Sequence, residues 1–363
     1  KGEGVYLWDL DGKKYFDFLS AYSAVNQGHC HPRILEALMT QAKELTLTSR
    51  AFHNDVLGKY EKFITDFFGY DKVLPMNTGV EGGETAVKLC RKWAYKVKGI
   101  PQNQATIVFA TGNFHGRTLS VVSASNDPDA RNDFGPYMEG IQSVLYNDLA
   151  ALEDVLKRNK NVAAFIVEPI QGEAGVVVPD ANYLTGVQAL CKKYNVLFVA
   201  DEIQTGIART GRMLAVCGNC GCGNKCEANY EARPDVLILG KAISGGVVPV
   251  SAVLADDEVM LVIKPGEHGS TFGGNPIACE VAMAALEVVK DEKLAENAEA
   301  MGQIFRKELS AVKSDMIELV RGKGLLNAIV IKPKGGKTAW DVCMRLRDNG
   351  LLAKPTHGHI IRF

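Results

Sequence analysis

The 363-residue chain has no apolar run approaching the ~18 residues that a membrane helix needs. Its opening, KGEGVYLWDLDGKKYFDF, has the layout of neither a secretory signal nor a transit peptide. Net charge is lacking as well: 41 basic and 42 acidic residues leave −1, so no general field draws the chain to nucleic acid or to an anionic membrane. Nucleotide signatures are absent too. No G-x-G-x-x-G follows a strand-like run, and GGKT at 335–338 has Ile331 where a phosphate-cradling loop needs glycine. Repeats and low-complexity tracts are missing apart from one cysteine-rich insertion. These absences confine the ligands to local sites on what should be a soluble globular protein. The chain starts without methionine and stops at HIIRF, so both ends of a longer protein, and any targeting signal, are expected to be missing. A cytoplasmic location is expected, with the mitochondrial matrix as the alternative.

What is present is a large apolar fraction, 47% against 23% charged, enough for two structural units, since single cores stop growing near ~250–300 residues. Short Val- and Ile-rich runs recur: TIVFA from Thr106, SVLY from Ser143, AAFIV from Ala163, VLFVA from Val196, VLIL from Val236 and VSAVLA from Val250. Such runs read as strands buried on both faces. Between several of them lie helical stripes, as in Ala86, Leu89, Cys90 and Trp93. Alternation of this kind predicts an α/β fold, a mostly parallel doubly wound sheet flanked by helices. Beyond residue 276 long amphipathic helices and a turn-strand segment take over, predicting a smaller α+β unit to which the alternating N-terminal segment also belongs. The expected division is 43–276 for the large unit, and 1–42 with 277–363 for the small one.

In open parallel sheets, ligands sit beyond the carboxyl ends of the strands. The residues there are chemically rich: Phe114, His115 and Arg117 after TIVFA, Glu168 and Glu173 after AAFIV, Asp201 and Gln204 after VLFVA, and Lys241 after VLIL. A lysine following such an apolar run would lose hydration worth several kcal/mol unless paired, neutralised or chemically converted; the bland alternative is a stem lying on apolar surface with its head in water. NTGVEGGE, residues 77–84, leads into the Ala86–Trp93 helix with small residues that expose backbone N–H groups, an arrangement that suits a phosphate. Together, a strand-end lysine, a strand-end aspartate forty residues earlier, a phosphate-type helix entry and an aromatic ahead of a histidine are the parts needed to hold pyridoxal phosphate.

Read with VEPIQGEAGVVVP, DEIQTGIARTG, LGKAISGG, EHGSTFGGNP, AYSAVNQGHCHP and GLLAKPTHGHIIRF, the chain resembles the class III pyridoxal-phosphate aminotransferases. The likeness spans nearly the whole chain except 217–230. It implies an aspartate-aminotransferase-like fold of type I and, among the family's members, the closest match to those that move an ω-amino group from L-ornithine to 2-oxoglutarate; a donor such as acetylornithine or 4-aminobutyrate is the alternative. A non-enzymatic reading, a cofactor- or zinc-binding interaction protein, needs Lys241 and Asp201 to be relics. By resemblance Lys241 carries the cofactor as a Schiff base and shuttles the proton, Asp201 partners the pyridine nitrogen, and Gln204 reaches the ring's phenolic oxygen. Phe114 stacks on the ring beside His115. Thr78, Gly79 and Val80 form the phosphate site with Ser270, and Thr271 completes it from a neighbouring subunit, so a homodimer is the minimum active form. Arg117 takes the carboxylate of ornithine, and Tyr22 and Glu168 border the substrate. Arg362 binds the α-carboxylate of glutamate, and Glu173 covers that arginine when ornithine is bound.

The departure from the family pattern is CGNCGCGNKCEANYEARPD, between the Asp201 and Lys241 segments, with Cys217, Cys220, Cys222 and Cys226 within ten residues. Core packing does not call for this density. Its spacing suits a reversible disulfide read by a thioredoxin-type partner; a zinc site, for which the C-x-C step is tight, and an inert surface loop are the alternatives.

Overall fold

The computed structural model describes residues 1–217 and 231–363. Its centre is a seven-stranded sheet: β1 (Lys72–Met76), β2 (Thr106–Ala110), β3 (Ile141–Val144), β4 (Val162–Val167), β5 (Leu197–Asp201), β6 (Val236–Leu239) and β7 (Ser251–Ala255), in the order β1-β7-β6-β5-β4-β2-β3. Strands β2 to β6 run parallel, and β7 is antiparallel to both its neighbours. The runs from Thr106, Ala163, Val196, Val236 and Val250 are strands as expected, whereas the SVLY strand starts two residues early, at Ile141. β1 was not anticipated. It contains Pro75, which argues against a central strand, and it lies at the sheet edge, where a missing N–H is tolerated.

Both sheet faces are dry because alternate residues point to opposite cores. Val108, Phe165, Phe198 and Leu237 join one apolar cluster, while Ile107, Ile166, Val199 and Ile238 join another. Each such side chain contributes roughly 1.5–3 kcal/mol by leaving water. Helix α1 (Gly79–Trp93) covers the second face through Ala86, Leu89, Cys90 and Trp93. Helix α2 (Pro276–Asp291) puts Ala278, Cys279, Ala282, Leu286 and Val289 into the first cluster, so this one helix of the segment after residue 276 packs on the large sheet's core.

The chain ends meet. The hairpin of Tyr6–Trp8 and Lys14–Asp17 pairs in parallel with Leu351–Leu352. A second sheet of β8 (Ile317–Lys323), β9 (Leu326–Ile331), β10 (Lys354–Thr356) and β11 (Ile360–Arg362) is antiparallel, in the order β8-β9-β11-β10. Its strand β11 ends on Arg362, opposite Ala328 of β9.

Candidate active site

Topology brings the carboxyl ends of β2, β4, β5 and β6 to one rim, and the residues just past them line a cavity of about 120 Å³. Its walls are Gly79, Val80, Phe114, His115, Gly116, Glu168, Asp201, Ile203, Gln204 and Lys241. Lys241 follows β6 with a left-handed φ of +46°, a conformation that an L-residue with a side chain adopts at a cost and that clusters at functional sites. Burial pushes its ammonium pKa down, and the charges of Asp201, Glu168 and Glu173 only partly restore it. The amine is therefore easier to deprotonate than an exposed lysine.

Asp201 closes β5, almost wholly buried, with Oδ2 2.6 Å from Nδ1 of His115. Burial disfavours the imidazolium, but the hydrogen bond and charge of Asp201, with the charge of Glu168, prevail and raise the His115 pKa. The other ring nitrogen, Nε2, is buried with no partner among the described residues. Glu168 accepts N–H bonds from Phe114 (3.0 Å) and Gly172 (3.4 Å); desolvation nevertheless raises its pKa to about 7.

Helix α1 points its N-terminus at the same cavity. Thr78 is the N-cap and forms a capping box with Glu81: Oγ1 of Thr78 accepts the Glu81 N–H at 3.4 Å, and Oε2 of Glu81 accepts the Thr78 N–H at 2.7 Å. The box satisfies those two amides. Those of Gly79 and Val80, in the first turn, have no intrahelical acceptor and are left for an anion. A Cβ at Gly79 would lie 3.0 Å from Cδ1 of Ile203, so any larger residue there would have to displace that side chain for the helix start to come this close to the cavity wall.

The far side is assembled differently. Tyr22 sits in a short left-handed turn, Ser20–Ser23, with φ of 51°, 45°, 60° and 70°, which costs roughly 1–2 kcal/mol per residue. Oδ1 of Asp17 accepts the N–H groups of Leu19 and Ser20 at the turn's entry. Arg362, 4% exposed, donates from Nη1 to Oε2 of Glu173 at 2.7 Å and from Nη2 to Oε1 of Gln204 at 2.9 Å. Its buried Nε has no partner among the described residues. The guanidinium lies 5.8 Å from the centroid of the Tyr22 ring. Burial pulls the Arg362 pKa down, against the charge of Glu173. A masked arginine thus adjoins the lysine cavity, linked to it by Gln204.

Not every expected residue joins this constellation. Arg117 is exposed, with its guanidinium 5.4 Å from the centroid of the Phe114 ring. Gln204 is engaged with Arg362. Ser270 accepts a hydrogen bond from Asn77 at 2.8 Å and so reaches the foot of α1, but Thr271 is exposed beside a different cavity that includes Arg50 and His53. Cys217 is buried in the first apolar cluster; Cys220, Cys222 and Cys226 lie outside the described residues. Ile203, a wall of the lysine cavity, was not anticipated, because an isoleucine one turn past a strand end carries no signal beyond apolarity. The glycines of the LGKAISGG motif are explained. Gly245 and Gly246 have φ of +59° and +77°, and a Cβ on them would meet Ile34 at 2.4 Å and Val25 at 2.3 Å, so the N-terminal segment seats directly on the turn after Lys241.

The class-III aminotransferase family model matches residues 1–363, and the chain belongs to that family. It is 65% identical over 364 residues to the mitochondrial ornithine aminotransferase of Drosophila melanogaster, a match covering 100% of this chain and 81% of that protein. Among solved structures, the ornithine aminotransferase of Toxoplasma gondii ME49 superimposes with a TM-score of 0.94 at 50% identity, covering 100% of this chain and 84% of the other. The acetylornithine aminotransferase of Elizabethkingia anophelis gives 0.88 at 59% identity, covering 100% and 87%. The fold is that of the type I pyridoxal-phosphate aminotransferases, and the cofactor of the class is pyridoxal 5′-phosphate. The residues fit that group: two first-turn amides without an intrahelical acceptor for a phosphate, a buried carboxylate for a ring nitrogen, a flat aromatic and a desolvated amine, around one cavity.

Proposed function

We propose that this chain transfers the δ-amino group of L-ornithine to 2-oxoglutarate, giving glutamate and glutamate semialdehyde, which cyclises to pyrroline-5-carboxylate. The observation that carries the reading is the 2.7 Å pair of Glu173 with the buried Arg362, beside the Lys241 cavity. Ornithine enters with its terminal amine inward and needs no cation where Arg362 lies; 2-oxoglutarate enters with a carboxylate that does. A pair that is closed for one substrate and open for the other serves both in one pocket, because a bidentate arginine-carboxylate contact is strong and its masking is reversible.

Pyridoxal phosphate, when bound, supplies an electrophilic carbon for the substrate amine and a ring that accepts the electron pair left at the substrate carbon. Lys241 Nζ, kept readily deprotonated by burial, takes and returns the proton at that carbon. Asp201, braced by His115, holds positive charge at the ring nitrogen. Phe114 covers the ring, Gly79 and Val80 hold the phosphate with Thr78 and Ser270 beside them, and Gln204 turns from Arg362 to the phenolic oxygen. Tyr22, Arg117 and Glu168 border the substrate. Thr271, exposed and away from its own chain's cavity, completes the phosphate site of a partner subunit in a homodimer. Residues 43–276 form the cofactor unit; 1–42 and 277–363 form the small unit that carries Tyr22 and Arg362.

The visible absorption spectrum tests this. The yellow band should bleach with L-ornithine, resist 4-aminobutyrate, and return with 2-oxoglutarate. The similarity to a structure named acetylornithine aminotransferase supports a second reading, and bleaching by acetylornithine in place of ornithine would establish it. The name of the Drosophila relative favours the mitochondrial matrix over the cytoplasm, which cell fractionation decides. A dithiol for a thioredoxin-type partner is proposed for the segment from Cys217 to Cys226, although Cys217 is buried in the core. Four alkylatable thiols in oxidant-treated, fully active enzyme would reject it.

A further inference from the structure

One half-buried cation is not used by the chemistry above, and it touches both walls of the substrate end. Arg209, in the loop after β5, follows two residues with left-handed φ, Ile207 (54°) and Ala208 (70°). Its guanidinium donates to Oδ1 of Asn26 from Nε (2.9 Å) and Nη2 (2.6 Å), to Oγ of Ser20 from Nη2 (2.7 Å), and to the Leu325 carbonyl from Nη1 (3.2 Å). All these acceptors are neutral. The charge of Asp17 also favours this cation, while the direct contacts use its planar fork of donors.

The contacts run in both directions. Asn26 returns a bond to the Ile207 carbonyl at 2.7 Å, and the Leu325 N–H donates to the Arg209 carbonyl at 2.9 Å. Backbones meet here with no room between them: a Cβ on Gly324 would lie 2.3 Å from the Gly211 nitrogen, and one on Gly302 would lie 1.8 Å from the Gly324 oxygen. Ser20 opens the left-handed turn that presents Tyr22, and Asn26 follows it. Leu325 lies in the turn between β8 and β9, and β9 pairs with β11, the strand of Arg362. One side chain therefore spans the Tyr22 turn, the loop that follows Asp201 and carries Gln204, and the hairpin that backs Arg362.

We propose that Arg209 is a positioning residue that sets the spacing between Tyr22 and the Glu173–Arg362 pair, and so governs substrate affinity without touching substrate or cofactor. The inference rests on the reading of Tyr22 and Arg362 as substrate contacts. In the holoenzyme, R209K keeps the charge but cannot reach Ser20, Asn26 and Leu325 together. It should weaken apparent binding of both L-ornithine and 2-oxoglutarate, read from cofactor absorbance in single-turnover half-reactions, by about tenfold, with the limiting rate reduced less than about threefold and the cofactor spectrum intact. Because Arg209 acts through the turn, R209K and Y22A should be strongly non-additive, the double variant binding scarcely worse than Y22A alone. Amide exchange across 19–25 should accelerate in R209K.

Binding within about twofold of wild type, or penalties that multiply in the double variant, overturns the proposal. Should R209K fail to fold, S20A, which removes one acceptor, decides the matter: a loss of about threefold that vanishes in the Y22A background supports it, and wild-type binding overturns it. If Y22A itself leaves both half-reactions unchanged, the substrate-end reading falls and this inference with it. If Y22A weakens binding while R209K does not, only the inference falls.

Discussion

The two ends of the site are built by different means. At the cofactor end, Asp201, Glu168 and Lys241 stand at or just past the ends of strands locked into a sheet with apolar cores on both faces. At the substrate end, Tyr22 sits in a strained turn, Glu173 in a loop, and Arg362 on a three-residue strand, brought together from positions up to 340 residues apart by ion pairing and loop hydrogen bonds. The first end is rigid because moving any of its groups would disturb the core. The second has contacts that can be exchanged one for another, as a pocket with two dissimilar substrates requires.

The comparison is broken most severely at the cofactor end. Lys241→Ala should lower kcat by about 10⁴-fold, the scale of removing a positioned proton-transfer group, measured by steady-state turnover with ornithine. Asp201→Asn should follow at about 10²- to 10³-fold in kcat/KM, since it removes the charge proposed for the ring nitrogen and leaves His115 without its anion. Its effect should appear in both half-reactions alike.

At the substrate end the effects should split by substrate. Arg362→Gln should raise KM for 2-oxoglutarate about 30-fold or more while changing ornithine only a few-fold. Glu173→Gln should do the reverse on a smaller scale: with Arg362 unmasked, 2-oxoglutarate binds about three- to tenfold more tightly and ornithine more weakly. Equal effects on both substrates would mean that the pair is structural.

The smallest effect concerns the support beneath Asp201. Glu202 is fully buried, accepts a bond from the Val216 N–H at 2.8 Å and one from the Thr205 hydroxyl, and desolvation raises its pKa to about 7. The folded protein thus binds its proton more tightly than the unfolded chain. Its contribution to stability is fully present below the ordinary carboxylate range and is lost as pH rises through about 7. Glu202→Gln should flatten the decline in urea midpoint between about pH 5 and 7.5, and an unchanged slope would assign the decline to Glu168 and other groups.

Much of the cofactor end could be read in one dimension. A strand buried on both faces announces itself as an apolar run, and a polar residue immediately after it must lie on the sheet's rim, so Lys241, Asp201 and Glu168 were visible as candidates and the motifs around them marked the family. The edge strand with Pro75 was not, because its local signal contradicts its tertiary position. Arg209 was passed over within DEIQTGIARTG because nothing in a lone arginine tells whether its fork meets solvent or three separate segments.

By itself, then, the sequence determined the alternation of strands and helices, the rim chemistry and the glycines that admit close approach, since each follows from local periodicity, backbone freedom and the cost of burying polar groups. The resemblance already implied that Glu173 covers Arg362; only the tertiary structure decided that Gln204 is the second partner of that arginine, that Tyr22 is presented by a left-handed turn, and that Arg209 joins the two sides. Those contacts link residues far apart along the chain, and their energies depend on distance and desolvation, which exist only once the chain has closed on itself.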